Sequence, residues 1–172
     1  MKTLKTLSFI GLFAGIFFVT DSAAQDATVT ASGTVQEPLT VTGVEGLLFG
    51  DIFPGVNKSV SHDDTDAAQF DIGGEPSAQV SVDFTALPAI LTDGASNELT
   101  ISFAADDAAH DTDVTAAGTA TTFDPSVGQT LNLGATEGTL FIWLGATVEP
   151  NFDQIAGSYD ADITLDVAYT EQ

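Results

Sequence analysis

Cysteine is absent from all 172 residues. No disulfide can staple the fold and thiol chemistry is excluded, so stability has to come from packed apolar surface. Arginine is absent too. Lys2, Lys5 and Lys58 stand alone against 25 acidic residues, a formal net charge of −22. A surface this anionic repels nucleic acid and anionic membrane, and neither is an expected partner. The chain also lacks a Gly-x-Ser-x-Gly elbow, a phosphate-binding glycine loop and a basic cluster to steady a developing anion. Facing carboxylates of the glycosidase kind arise by chance among so many acids. No enzymatic activity is expected. A sustained helical period is missing as well, which excludes any helix longer than a turn or two.

An apolar run from Leu7 to Val19 follows Lys2 and Lys5 and leads to the small residues Ser22-Ala23-Ala24. Its thirteen residues fall short of the roughly 20 a membrane span needs. Residues 1–24 therefore read as a cleaved secretory signal, with a retained anchor as the alternative. The expected location is exported: periplasm, cell surface or extracellular, with no membrane contact after cleavage. Cleavage removes Lys2, Lys5 and Asp21, leaving 24 acids against Lys58 and a net charge of −23. The remaining 148 residues suffice for one domain with a proper core.

The strongest positive signal is at the C-terminal end. From Tyr159 the odd residues are apolar (Tyr159, Ala161, Ile163, Leu165, Val167, Tyr169) and the even ones mostly polar (Asp160, Asp162, Thr164, Asp166). Period two marks a strand with one wet and one buried face. Extended, the run would span roughly 35 Å at about 3.3 Å per residue. A long one-sided strand needs a second sheet to lie against, which predicts a β-sandwich.

The same alternation recurs upstream. Thr28–Val35 is small and Thr-rich, Leu39–Val44 resumes after Pro38, and Leu47–Ile52 is apolar on both faces before the turn Pro54-Gly55. Short strands are predicted over Lys58–His62 and Ala67–Ile72, either side of the acidic turn Asp63–Asp66. Ala78–Phe84 should face Val80, Val82 and Phe84 inward, and Leu99–Phe103 follows a reversal at Asp93-Gly94. Residues 104–118 lack a period and read as a loop. Leu131–Gly134 precedes a central strand over Thr139–Val148, and Pro150–Ala156 turns into the closing strand. The expectation is an all-β, immunoglobulin-like or adhesin-like sandwich of about 8–10 antiparallel strands, with turns every 8–12 residues or so.

Of the 25 acids 18 are Asp, a poor strand former that belongs at turns and on wet faces. Such acidity suits a high-salt surface, Ca2+ uptake or simply a soluble exported protein. Candidate Ca2+ ligands are Asp63, Asp64 and Asp66 beside His62, and Asp111 and Asp113 near Asp106, Asp107 and His110. Neither segment has the EF-hand order, and a zinc site would need His62 and His110 together. A solvated acidic turn is the plainer reading. Beyond Ca2+, no cofactor is implied. Trp143, between Phe141 and Leu144, reads as core rather than as a glycan-stacking residue.

Several motifs together carry a family likeness. Phe49-Gly50 after an apolar pair, Phe70-Asp71-Ile72-Gly73-Gly74-Glu75-Pro76, Leu131-Asn132-Leu133-Gly134 and Gly157-x-Tyr159…Val167-x-Tyr169 resemble the bacterial "domain of unknown function 4402" family. The likeness covers nearly the whole chain after residue 24 and departs from the family at Ala161, where a glycine is expected. It implies an exported adhesin- or pilin-like sandwich without assigned enzymatic activity. More loosely, Gly157 and Tyr169, twelve positions apart, resemble the closing strand of chaperone–usher pilin subunits. In those, the next subunit's N-terminal arm fills a missing strand. Here Tyr169 is followed by three residues rather than one, and residues 25–36 offer Val29 and Val35 as plugs with Ala31 and Gly33 between. That segment is either a donor arm or the first strand of a self-complete domain spanning 37–172. The resemblance implies an exported structural or adhesive subunit that associates with itself or other surface subunits, assisted by a periplasmic chaperone. The interacting residues would be Val29, Ala31, Gly33 and Val35 on the arm, and Gly157, Tyr159, Ile163, Leu165, Val167 and Tyr169 on the closing strand. The alternative is a monomeric module binding Ca2+ or glycan through its loops.

Overall fold

A computed structural model describes residues 25–170, so the expected signal segment lies outside the described residues. The chain divides into two units, residues 1–34 and 35–172. In the first, residues 25–34 carry no strand. The second holds every strand described, and the fold is all-β.

Twelve strands form three antiparallel sheets. They are β1 (Thr40–Glu45), β2 (Lys58–Val60), β3 (Ala68–Gly73), β4 (Gln79–Ala86), β5 (Ile90–Thr92) and β6 (Glu98–Ser102). Then come β7 (Ala108–Asp111), β8 (Thr121–Phe123), β9 (Gln129–Asn132), β10 (Thr139–Leu144), β11 (Ala146–Glu149) and β12 (Thr164–Tyr169). The first sheet runs β1-β3-β10-β7-β8, the second β2-β11-β6-β5 and the third β12-β4-β9. Among the described residues the only helical element is a single 3-10 turn, Ala117–Thr119.

One of the strands beyond the sequence expectation has a clear physical reason. Thr139–Val148 is not one strand: β10 and β11 meet at Gly145 and join different sheets. Their neighbours break at the same level, β2 from β3 by a turn at residues 61–66 and β6 from β7 by one at 104–107. A Cβ on Gly145 would overlap the Val60 carbonyl oxygen and lie 2.9 Å from His62 N. The bare backbone lets three bent chains pass side by side, and Gly145 N–H donates to the Asp107 carbonyl at 2.8 Å.

Both turns use one device. Asp64 Oδ2 accepts from Ser61 N–H at 2.9 Å, and Asp107 Oδ2 accepts from Ala104 N–H at 2.6 Å. Each aspartate also donates its own N–H back to that first residue's carbonyl. A short side-chain acceptor caps a backbone donor that the broken ladder leaves free.

The third sheet packs face to face on the first. Val80, Val82 and Phe84 of β4 point inward as expected, and with Ile72, Ala108, Leu133, Leu140, Ile142 and Leu144 they build the larger core. Each large apolar side chain buried there contributes about 1.5–3 kcal/mol at most. The second sheet's inner face, with Val60, Leu91, Leu99, Ile101, Ala146 and Val148, forms a smaller core with Phe49. Its cover is no strand but the irregular segments around Leu47, Ile52 and Tyr159.

Three expectations are corrected. Leu47–Ile52 forms no strand, because Gly50 adopts a left-handed φ of 59°, which a ladder does not accommodate. Thr28–Val35 forms none either. Residues 104–118 are not all loop: β7 sits between β10 and β8, with Ala108 and Ala109 fully buried. Alanine shows no alternation and is a weak strand former, so packing against β10 overrides propensity there. Trp143 is buried, opposite Ala109 and Gln69 on neighbouring strands, which removes it as a glycan platform.

Gly145→Ala is expected to cost about 2–3 kcal/mol of stability, because the added methyl meets rigid backbone. Urea denaturation read by circular dichroism checks this; an unchanged midpoint would mean the two sheets do not cross at Gly145.

Candidate functional site

The closing strand and the root of the N-terminal arm form the candidate site. β12 pairs with β4 on one side only, in the register Leu165↔Phe84, Val167↔Val82 and Tyr169↔Val80. On its other side no strand of the described residues pairs with it, so it is an edge of the third sheet. Ile163, Leu165, Val167 and Tyr169 are half-buried against the larger core, which preserves the alternation read from the sequence. The strand is shorter than that alternation suggests and starts at Thr164. Gly157 and Tyr159 are not part of it. Tyr159 packs on the smaller core and donates to the Ile155 carbonyl at 2.7 Å. A lone bridge joins Asp160 to Thr92.

Tyr169 ties three segments together. Its hydroxyl accepts from Glu75 N–H at 2.7 Å and donates to the Glu37 carbonyl at 2.8 Å. Glu75 Oε2 in turn accepts from Glu37 N–H at 3.1 Å. Gly74 leaves room for the phenol, since a Cβ there would overlap the Tyr169 oxygen. Glu37 is thereby fixed at the C-terminal end of β12. Upstream of it, Val29, Ala31, Gly33 and Val35 are all exposed, Val29 at 91 % and Val35 at 96 %.

The Ca2+ candidates serve their own turns. Asp63 Oδ1 accepts from the Ser61 hydroxyl, and Asp64 caps Ser61 N–H as above. Asp111 Oδ1 accepts from Asp113 N–H at 2.9 Å, and Asp113 Oδ1 from Thr115 N–H at 2.9 Å and its hydroxyl at 2.8 Å. Asp66 contributes its carbonyl to Leu48 N–H. Among the described residues, no three His, Asp or Glu side chains converge as a metal-holding group. These hydrogen bonds hold the Asp63 and Asp113 carboxyls below the usual carboxylate range, as they do Asp93 through Asn97 and Ala95 and Asp124 through Ser126. They favour the ionised form.

His110 behaves differently. It is half-buried on β7 with its ring 5.9 Å from Phe123, and that burial lowers its pKa while the adjacent Asp111 opposes the shift.

A feature that sequence reading missed is an apolar groove of about 800 Å3 over the second sheet. Leu91, Leu99 and Ile101 form its floor, and residues 47–54 and 154–163 form its walls. The doubly apolar character of Leu47–Ile52 was the available signal. It marks a wall with one side on the core and one side toward the groove, rather than a central strand.

Compared with known proteins, the chain matches no family model and no curated protein.

Tyr169→Phe removes both hydroxyl hydrogen bonds and is expected to cost about 1–2 kcal/mol in urea denaturation. A cost near zero would show that the latch does not hold β12 to Glu37. For His110, the depressed folded-state pKa means its stabilising contribution is complete above the unfolded value of about 6.5 and is lost as pH falls through the folded value. The urea midpoint should therefore drop between roughly pH 7 and pH 5, and His110→Gln should flatten that slope. An identical slope in the variant would contradict the burial of the imidazole.

Proposed function

We propose that this protein is an exported structural or adhesive subunit of the cell surface, pilin-like in using β-strand complementation. The arm Ala27–Val35 of one copy adds to the free edge of β12 in the next. The observation that carries this reading is the pairing of two unmet needs. One is an uncharged stretch, with Val29, Ala31, Gly33 and Val35 alternating with hydroxyl residues, that lies outside any strand. The other is a sheet edge that has no strand beside its outward backbone groups among the described residues. An open edge is a template for a further strand. The Tyr169 latch supports the reading because it fixes the point from which the arm departs. Extended, residues 27–35 would span roughly 30 Å at about 3.3 Å per residue, longer than the six-residue β12. The lack of charge between Asp26 and Glu37 matters in a chain of net charge −22, because it lets the arm approach a second copy with little repulsion.

Size-exclusion chromatography of the protein isolated from cells expressing the full chain tests this. The intact protein is expected to elute as an open series of multimers, and a variant lacking residues 25–36 to lose that series. Indistinguishable elution of the two forms would remove the arm as the linker. Calorimetric titration with Ca2+ and with a glycan panel separates the other reading: saturable heat would favour a loop-binding module.

A further inference from the structure

The first sheet turns one face to the third sheet, and a pocket of about 380 Å3 lies on its outer side. Phe141 of β10 lines that pocket. Its neighbours Leu140 and Ile142 are fully buried in the larger core, so Phe141 faces away from that core, where it is half-buried. The buried Trp143, two positions on, shares this side of the strand. Its ring lies 6.3 Å from that of Phe141 and is tilted by 31° to it, so the larger ring backs the smaller. Phe141 pairs with Asp71 of β3 and with Asp111 of β7, which sets an aspartate on either side of it.

Two loops wall the pocket, and the protein itself holds both in place. Residues 134–139 turn tightly: Gly134 N–H donates to the Thr139 carbonyl at 2.9 Å, and Gly138 N–H to the Gly134 carbonyl at 3.0 Å. The other wall, Asp111 to Thr115, is fixed by the two aspartate caps described above. The walls close up at Gly134, where a Cβ would lie 3.5 Å from Thr112 and 3.1 Å from the Thr139 carbonyl. Thr112, Thr136 and Thr139 line the pocket with hydroxyls, and Asp113 and Glu137 with carboxylates. A site built before its ligand arrives loses little to ordering on binding.

The lining narrows the ligand. Asp113 and Glu137 in the walls and Asp71 and Asp111 beside the ring are all acidic. Lys58, the only lysine among the described residues, is held at the Asp51 carbonyl, and there is no arginine. An anionic ligand is therefore repelled. Carboxylates only accept hydrogen bonds, and threonine hydroxyls accept or donate, so the walls suit a ligand rich in hydroxyl donors. The aromatic ring suits an apolar face. A bare metal ion would leave both the ring and the threonines without a part, whereas a sugar uses all of them. The volume sits at the lower end of small-molecule sites, which run from about 300 to 1,000 Å3, and suits a short saccharide. We propose that this pocket binds a neutral saccharide, with Phe141 against the apolar face of a sugar ring and Asp113, Glu137 and the threonines on its hydroxyls. The inference rests on the adhesive half of the function proposed above and gives it a ligand class. No residue of the arm or of β12 lines the pocket, so saccharide binding and strand addition are compatible and fail separately.

Trp143 is the single tryptophan, and its contact with Phe141 makes its fluorescence the readout. The protein isolated from cells expressing the full chain is titrated with methyl glycosides of glucose, galactose, mannose and N-acetylglucosamine, with glucuronate, and with tetramethylammonium. At least one of the four neutral glycosides is expected to give a saturable change, and the anion and the cation none. Phe141→Leu keeps an apolar side chain but loses the ring, and Glu137→Ala removes a carboxylate from an exposed turn. Each should weaken binding at least about tenfold, the effect of losing an aromatic anchor or a hydrogen bond to a charged group. Glu137→Ala should leave the melting temperature where it was, which keeps the test valid if the half-buried Phe141 also serves stability. Val127→Ala, at an exposed position outside the pocket, should bind as before. No saturable change with any of the four glycosides overturns the proposal. So does binding indifferent to both pocket variants, binding equally weakened by Val127→Ala, or equal binding of glucuronate or tetramethylammonium. Loss of multimers on arm deletion bears on strand addition alone.

Discussion

The fold depends on the close passage of backbone at Gly145. Three extended chains, residues 58–73, 98–111 and 139–149, each serve two sheets, and all three must change direction at one level. Only the central chain does so without a turn, and it can because Gly145 carries no side chain where the Val60 carbonyl passes. The outer two use four-residue turns capped by Asp64 and Asp107. A side chain at 145 would push the flanking chains apart and leave the ladder groups beside it unpaired and buried, a cost comparable to several lost hydrogen bonds.

This arrangement also accounts for the distribution of apolar surface. Above the bend, the first sheet meets the third and closes a core with layers on both sides. Below it, the second sheet has no third-sheet partner, and the irregular segments around Leu47–Pro54 and Gln154–Ile163 cover it only partly. The groove is the consequence of that incomplete cover. The acidic residues follow the same logic. With no disulfide available and the apolar residues committed to the cores, aspartates cap the turns, where their short side chains reach backbone N–H groups. At Asp63, Asp93, Asp113 and Asp124 such bonds favour the ionised form, so acidity and turn structure support each other there.

How much could be read from the sequence follows from what each residue reports. β4 was legible because Val80, Val82 and Phe84 alternate against polar neighbours, and burial follows that alternation residue by residue. The closing stripe was legible in its facing but not in its extent. Tyr159 and Ile163 share a period, yet they pack on different cores, and nothing local distinguishes the two destinations. β7 was illegible because two alanines carry no facing signal and owe their burial to β10 and β8. The split at Gly145 was hidden by apolar residues continuing across it. The acidic clusters were visible in position, whereas the turn hydrogen bonds of Asp63, Asp64, Asp111 and Asp113 were not, because a turn cap and a cation ligand use the same side chain. At the candidate site, the spacing of Tyr169 was visible, whereas its contacts with Glu37 and Glu75, 132 and 94 residues away in sequence, were not.

Amide hydrogen exchange at Gly145 tests the central claim most directly. The account predicts that its N–H, bonded to the Asp107 carbonyl at 2.8 Å and enclosed by two flanking chains, exchanges only through global unfolding, as slowly as the amides of Ile142 and Val148. Exchange at Gly145 as fast as in residues 27–36 would contradict it, and would mean that the two sheets are hinged at that point rather than locked.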